Sequence, residues 1–172
     1  LQDPRHALNP VMTVGAQIAE TLNTHTELDA RAAQARGIEL LASVRIADPE
    51  RVWHAYAHEL SGGLAQRAMI AMMLAPGPEL LIADEATSAL DVMAREQVLA
   101  VLAEQQRARG MGLLMISHDL GLVARFCERV LVMRQGRVVE EATGEALAAG
   151  DAKDAYTRHL LAVQPRLDAV GV

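Results

Sequence analysis

Two short apolar runs constrain this chain more than any other feature. "ELLIADE" (79–85) and "GLLMISHD" (112–119) have the length of buried strands, and each closes on acidic or polar residues. Between them, Asp91 to Arg109 carries the pattern of an amphipathic helix. The remainder downstream keeps alternating. Leu120 to Phe126 reads as a short helix, "RVLVMRQGRVVEE" (129–141) as a β-hairpin turning at Gln135-Gly136, and Gly144 to Val163 as helix. Strand and helix alternating in this way argue an α/β sheet.

The segment before the first run is mainly helical. Pro4 and Pro10 punctuate an opening loop, Val11 to Leu22 reads as helix, and Thr24 to Asp29 as a polar connection. Ala30 to Val44 reads as a second helix, and "ADPERVWHAYAH" as a loop or a short helix. Ser61 then caps a helix running to Ala75, where "PGP" stops it. Its stretch "AMIAMMLA" is apolar nearly all round and is expected to be buried.

Composition narrows the function. A chain of 172 residues can bury a sizeable core, and 51% hydrophobic residues is a globular composition. The longest apolar candidate, Ala68 to Ala83, is broken by "PGPE", so nothing in the chain reads as a membrane span. A net charge of −6 with 2% aromatics argues against nucleic acid as a partner. The single cysteine, Cys127, cannot form an internal disulfide, which fits a reducing compartment.

Three places carry candidate chemistry. The first strand delivers Asp84 and Glu85 at its C-terminal end, where ligands bind in open α/β sheets. Asp84 there can hold Mg²⁺ through its water shell, and Glu85 can polarise an attacking water. The plain alternative is a strand end that exits into solvent. His118, in "ISHDL", falls at the same sheet edge and can donate to a phosphate oxygen, or be a satisfied strand-end histidine. Ser117, His118 and Asp119 form no hydrolase triad, since neighbours on a strand point to opposite faces. Finally, "HELSGGLAQR" (58–67) places Ser61 and Gly62-Gly63 at a helix start. Bare N–H groups and the helix dipole there favour an anion, and glycines let it come close. Gln66 and Arg67 follow one turn in. The plain alternative is a glycine-containing cap on a core helix.

Taken jointly, "LSGGLAQR", "LLIADEATSALD" and "LMISHD", in that order and spacing, resemble the ATP-binding subunits of ABC transporters. "LQDPRHALNPVMTVGAQI" and the tail "YTRHLLAVQPRLD" are similar to one branch, the importers of oligopeptides, dipeptides and nickel. The resemblance covers essentially the whole chain. It implies an α/β fold, the C-terminal part of a P-loop NTPase (RecA-like) ABC ATPase domain with a helical signature subdomain. The implied division is a Q-loop at 1–10, a helical subdomain with the signature at 11–78, RecA-like core strands and helices at 79–142, and C-terminal helices and tail at 143–172.

Carried over by residue, the resemblance implies that Gln2 is the Q-loop glutamine, near Mg²⁺ and the γ-phosphate. Ser61, Gly62, Gly63 and Gln66 become the signature, contacting ATP held by the opposite subunit. Asp84 becomes the Walker B aspartate beside Mg²⁺, Glu85 the catalytic glutamate, Asp91 the D-loop aspartate and His118 the switch histidine. The cofactors implied are ATP and Mg²⁺. The partners implied are a second ABC ATPase subunit, transmembrane permease subunits and an extracytoplasmic substrate-binding protein, with the chain at the cytoplasmic face of the inner membrane.

One element of the family pattern is missing. No GxxxxGK[ST] phosphate loop occurs, and Lys153 is the only lysine. In the family that loop precedes the Q-loop and would lie before Leu1. The chain is therefore expected to be a fragment that alone binds ATP poorly. Ala86 and Ala57 stand where the family usually has proline, and Leu64-Ala65 where methionine and a basic residue are frequent. Rival readings are an ABC ATPase without a permease, acting on DNA or ribosomes, and a non-catalytic remnant. Three further features read as structural. His54 and His58 are spaced i,i+4 without a third ligand, Met69, Met72 and Met73 are core filler, and Arg125, Arg129, Arg134 and Arg137 form a solvated face.

Overall fold

A computed structural model describes residues 7–163, which fall into two compact units dividing between Ile116 and Ser117. In the first unit, helices α1 (Val14–His25), α2 (Ala30–Ser43), α3 (Pro49–His54) and α4 (Gly62–Leu74) precede strand β1 (Leu80–Asp84). Helix α5 (Val92–Arg109) crosses over to strand β2 (Gly112–Ile116).

Short polar side chains set the helix starts. Thr13, Asp29 and Asp48 accept from the backbone N–H groups of Ala16, Ala32 and Arg51, and Pro49 takes the first helical position after Asp48. Because Thr13 is extended and caps, α1 begins at Val14 rather than Val11. It runs on to His25, where both the amide and the hydroxyl of Thr26 return to the Leu22 carbonyl at 2.8 Å. "ADPERVWHAYAH" resolves into α3 and a single 3₁₀ turn over Ala57–Glu59.

The core of this unit joins α1 to α5 through Ile18, Leu22, Leu41, Ile70, Leu74 and Leu102. Trp53 is its keystone. An atom added at the Cα of Gly15 (α1) or Gly37 (α2) would overlap the indole ring, so two helices approach Trp53 only because those positions lack a side chain. Met69 is buried as expected, whereas Met72 and Met73 are half-buried.

β1 and β2 pair in parallel, with Leu80 opposite Gly112 and Asp84 opposite Ile116. The expectation of buried strands holds for one face of β1 only, since no residue of β2 is fully buried. Leu81 and Ala83 are buried, but Leu80, Ile82, Leu114 and Ile116 alternate onto the other face and stay exposed among the described residues. β2 is also shorter than the apolar run predicts, ending at Ile116, so Ser117 to Asp119 lie beyond the strand.

The second unit comprises α6 (Leu120–Phe126), the hairpin β3 (Arg129–Arg134) and β4 (Arg137–Thr143), α7 (Gly144–Ala148) and α8 (Ala155–Val163). The hairpin turns where the sequence placed it, with Gln135 at φ 50° and Gly136 at φ 76°. Two successive left-handed residues match the right-handed strand twist. The expected single helix over 144–163 is two. Gly150 at φ 81° ends the first, and the buried Glu140 carboxylate ties the chain ahead of the second by accepting from the amides of Lys153 at 2.7 Å and Asp154 at 3.1 Å.

Candidate functional site

β1 ends on Asp84, and Glu85 is the next residue; both are half-buried. Glu85 sits at φ 49°, a left-handed conformation that costs a non-glycine residue about 1–2 kcal/mol. Its amide donates to the Ile116 carbonyl at 2.9 Å, and its carbonyl accepts from the amide and hydroxyl of Ser88 at 3.1 and 3.0 Å. Three hydrogen bonds thus hold a strained residue at the C-terminal edge of the sheet. Strain maintained in this way is a mark of functional positions.

Ser61 occupies the N-cap position of α4, its carbonyl accepting from the Ala65 amide at 2.8 Å. Its hydroxyl makes no capping bond, contrary to the expectation that Ser61 caps through its side chain. Ser61 and Gly62 are exposed at the positive end of a thirteen-residue helix, and Gly63 and Leu64 are half-buried. Neither Gly62 nor Gly63 has a positive φ. What glycine supplies is close approach. A Cβ on Gly63 would lie 3.0 Å from Ala94 Cβ, and one on Gly62 would lie 3.5 Å from Leu90 Cδ2. The start of α4 is therefore seated on the start of α5 and the turn before it.

Gln66 corrects a sequence expectation. It is 1% exposed with Nε2 unpartnered, so it lies inside the core rather than on the surface that Ser61 and Gly62 share. It is buried although it stands one turn after the exposed Gly62 on the same side of the helix. Asp91 is exposed and caps α5, its Oδ1 accepting from the Ala94 amide at 2.8 Å. One residue, Ala94, thus receives the Asp91 cap and packs on Gly63.

His118 belongs to the second unit. It is exposed in the turn between the end of β2 and α6. On its two sides, Asp119 caps α6 by accepting from the Leu122 amide at 2.9 Å, and the Ser117 hydroxyl accepts from the Asp119 amide at 3.1 Å. Both neighbours are engaged with the backbone. The strand-face argument against a triad does not apply, because this segment is a turn. Gln2 lies outside the described residues.

Among the described residues no cluster of three or more His, Cys, Asp or Glu could hold a metal ion. The features read as structural fit the same picture. The His58 ring stacks on Tyr56 with centroids 5.6 Å apart, Arg129 faces Glu141 at 3.5 Å, and Arg134 lies 4.8 Å above the Tyr156 ring. No helix among the described residues is long and apolar enough to cross a membrane.

Neither Arg45, a non-glycine at φ 60°, nor Ala94 stands out in the sequence. The only advance signal for Ala94 was a small residue one turn into α5.

The sequence profile of ABC transporters matches residues 2–88, from the opening loop through "LSGG" and "LLIADE". The chain belongs to the ABC transporter family. It is 48% identical over 165 residues to a peptidoglycan transport ATP-binding protein of Agrobacterium fabrum, covering 96% of this chain and 30% of that protein. It is 48% identical over 164 residues to a dipeptide transport ATP-binding protein of Haemophilus influenzae, covering 95% of this chain and 49% of that one. This ABC chain thus spans about a third to a half of the length of the curated relatives it matches. Among solved structures, a Clostridium perfringens ABC transporter component superposes with a TM-score of 0.75 at 28% identity, covering 86% of this chain and 57% of that one. An ATP-binding cassette dimer in a post-hydrolysis state, bound to ADP and Pi, superposes with a TM-score of 0.69 at 29% identity, covering 79% and 58%. The fold is therefore that of the ABC ATPase domain of P-loop NTPases.

Proposed function

We propose that this chain is the signature-bearing part of the ATP-binding and ATP-hydrolysing subunit of a peptide importer. The observation that carries the reading is Ser61, a residue exposed beside Gly62 at the start of α4 whose hydroxyl makes no capping bond. A cap serving stability alone would use that oxygen. Not committed to the cap, it suits an anion arriving from a second molecule, namely the γ-phosphate of ATP held by the opposite subunit. Gly62 and Gly63 keep the approach clear. Gln66, being buried, supports the helix from within and makes no contact across the interface.

Asp84 would hold the waters of Mg²⁺, together with Gln2. The ion would neutralise phosphate charge in phosphoryl transfer. Glu85 accepts a proton from the attacking water, its backbone fixed by Ile116 and Ser88. Asp91 lies at the dimer contact, and His118 donates to the γ-phosphate. The phosphate-binding loop comes from sequence outside residues 1–172. The apolar face of Leu80, Ile82, Leu114 and Ile116 supports this, because parallel sheets in α/β proteins are covered on both faces. Permease subunits take up the closing motion, and an extracytoplasmic binding protein supplies peptide. Peptide is favoured over nickel because similar proteins are peptide and dipeptide transport ATP-binding proteins.

The test is ATP-dependent dimerisation of the full-length protein, followed by light scattering. The Glu85→Gln protein should form a stable dimer with ATP, and adding Ser61→Arg should abolish it. Dimers that persist with Ser61→Arg would remove Ser61 from the interface.

A further inference from the structure

We propose that Arg67 is a positioning residue for the Ser61–Gly63 turn, a strap that holds the first turn of α4 on the loop between α2 and α3. Its Nε donates to the Gly63 carbonyl at 3.3 Å, and its Nη1 donates to the Arg45 carbonyl at 2.7 Å. One planar guanidinium therefore joins the turn to Arg45, which lies twenty-two residues before Arg67 in sequence.

The far anchor is itself fixed. The Arg45 amide donates to the Ala42 carbonyl at 2.9 Å, closing the end of α2, and its φ of 60° belongs to a tight reversal. The Arg45 side chain reaches α5, with Nε 3.0 Å from a Glu104 carboxylate oxygen. Arg67 thus attaches the turn to a loop that is bound to two other helices. A concavity of about 520 Å³ lies alongside, lined by Arg45, Arg51, Leu64, Arg67 and Gln97 among others. The two carbonyl bonds tie the half-buried guanidinium at the rim of this concavity. Partial burial also lowers the Arg67 pKa from its ordinary value, consistent with a group held off from bulk water.

Lysine cannot reproduce this. Its ammonium is a single point donor on a flexible stem, whereas the guanidinium presents its donors in a rigid fork. The proposal rests on the reading of Ser61–Gly63 as the contact to the partner's nucleotide. On that reading the strap matters when the subunits close, not when ATP first binds to its own subunit.

The experiment uses the full-length protein with Arg67→Lys and two readouts. Without nucleotide, hydrogen exchange of the peptide covering residues 58–66 should quicken, while exchange in α5 stays as in the wild type. In steady-state hydrolysis, the ATP KM should rise about tenfold with kcat within about twofold, as for loss of a charged hydrogen bond that favours closure. Arg67→Gln, planar but uncharged, takes its place if the lysine variant does not fold. Unaltered exchange in residues 58–66 overturns the strap. Faster exchange with an unaltered KM overturns the phosphate-contact reading instead, and Arg67 then positions nothing in catalysis.

Discussion

The amide of Glu85 donates to the carbonyl of Ile116 at 2.9 Å, carrying the parallel ladder one residue past the end of β1 while Glu85 turns left-handed at φ 49°. Position and strain are thus combined in one residue. Glu85→Gln keeps the backbone and removes the carboxylate, so hydrolysis should fall by at least 10²-fold with ATP binding retained. Glu85→Gly should be equally inactive but as stable as the wild type, or more so by up to about 1 kcal/mol, because glycine relieves the strain. Single-turnover hydrolysis and urea unfolding measure the two effects separately. Undiminished hydrolysis in Glu85→Gln removes Glu85 from its role.

Trp53 is the only tryptophan, and it fills the gap left by Gly15 and Gly37. Alanine is the better helix former by about 1 kcal/mol, so Gly→Ala on an open helix face would stabilise. Here the new methyl meets the indole, and at Gly15 it also meets the Trp53 backbone carbonyl, which cannot swing aside. Overpacking of this kind costs about 1–3 kcal/mol. Gly15→Ala should therefore lower the urea midpoint more than Gly37→Ala, read from Trp53 fluorescence. A rise in midpoint for Gly15→Ala would show that the notch is not needed.

How much of this could be read from the sequence differs by region. The βαβ unit around α5 was legible because "ELLIADE" and "GLLMISHD" are apolar runs of strand length and the polar-rich stretch between them is long enough for a crossover helix. The hairpin was legible because Gln135-Gly136 supports two left-handed residues. The end of β2 was not, since "SHD" continues an extended-looking run and only the Asp119 cap shows that a helix begins. The break before α8 was hidden for a similar reason. "GDAKD" contains no proline, and the carboxylate that organises it, Glu140, comes from another element. At the candidate site, Ser61, Gly62, Asp84 and Glu85 are candidates singled out by their motifs. The burial of Gln66 depends on which side of α4 faces the core, and an all-round apolar helix does not encode that.

Glu140 gives a pH dependence. The Lys153 amide, then the Thr157 hydroxyl, hold its carboxyl below the usual carboxylate range, with the Asp154 amide and the Lys153 charge adding to this and burial opposing it. A carboxyl whose pKa is depressed by folding stabilises the fold above its unfolded-state pKa and loses that contribution as pH falls through the folded value. Glu140→Gln should thus lower the thermal midpoint near pH 7. The gap from wild type should close as the pH falls below about 4. A gap independent of pH would mean that Glu140 acts by packing alone.

The final prediction concerns the seat of α4 on α5. A methyl on Gly63 would sit 3.0 Å from Ala94 Cβ, closer than ordinary van der Waals contact. Ala94 cannot easily yield, because its amide is held by the Asp91 carboxylate at 2.8 Å. Gly63→Ala should therefore displace Ser61 and strain the Asp91 cap together, weakening ATP-driven dimerisation about tenfold with a stability loss near 1 kcal/mol. Removing the opposing methyl tests the cause. Gly63→Ala with Ala94→Gly restores the space, so dimerisation should recover beyond the sum of the single effects, although glycine in α5 itself costs about 1 kcal/mol. Strict additivity of the two substitutions would mean that Gly63 acts through the nucleotide side of the turn and not through Ala94.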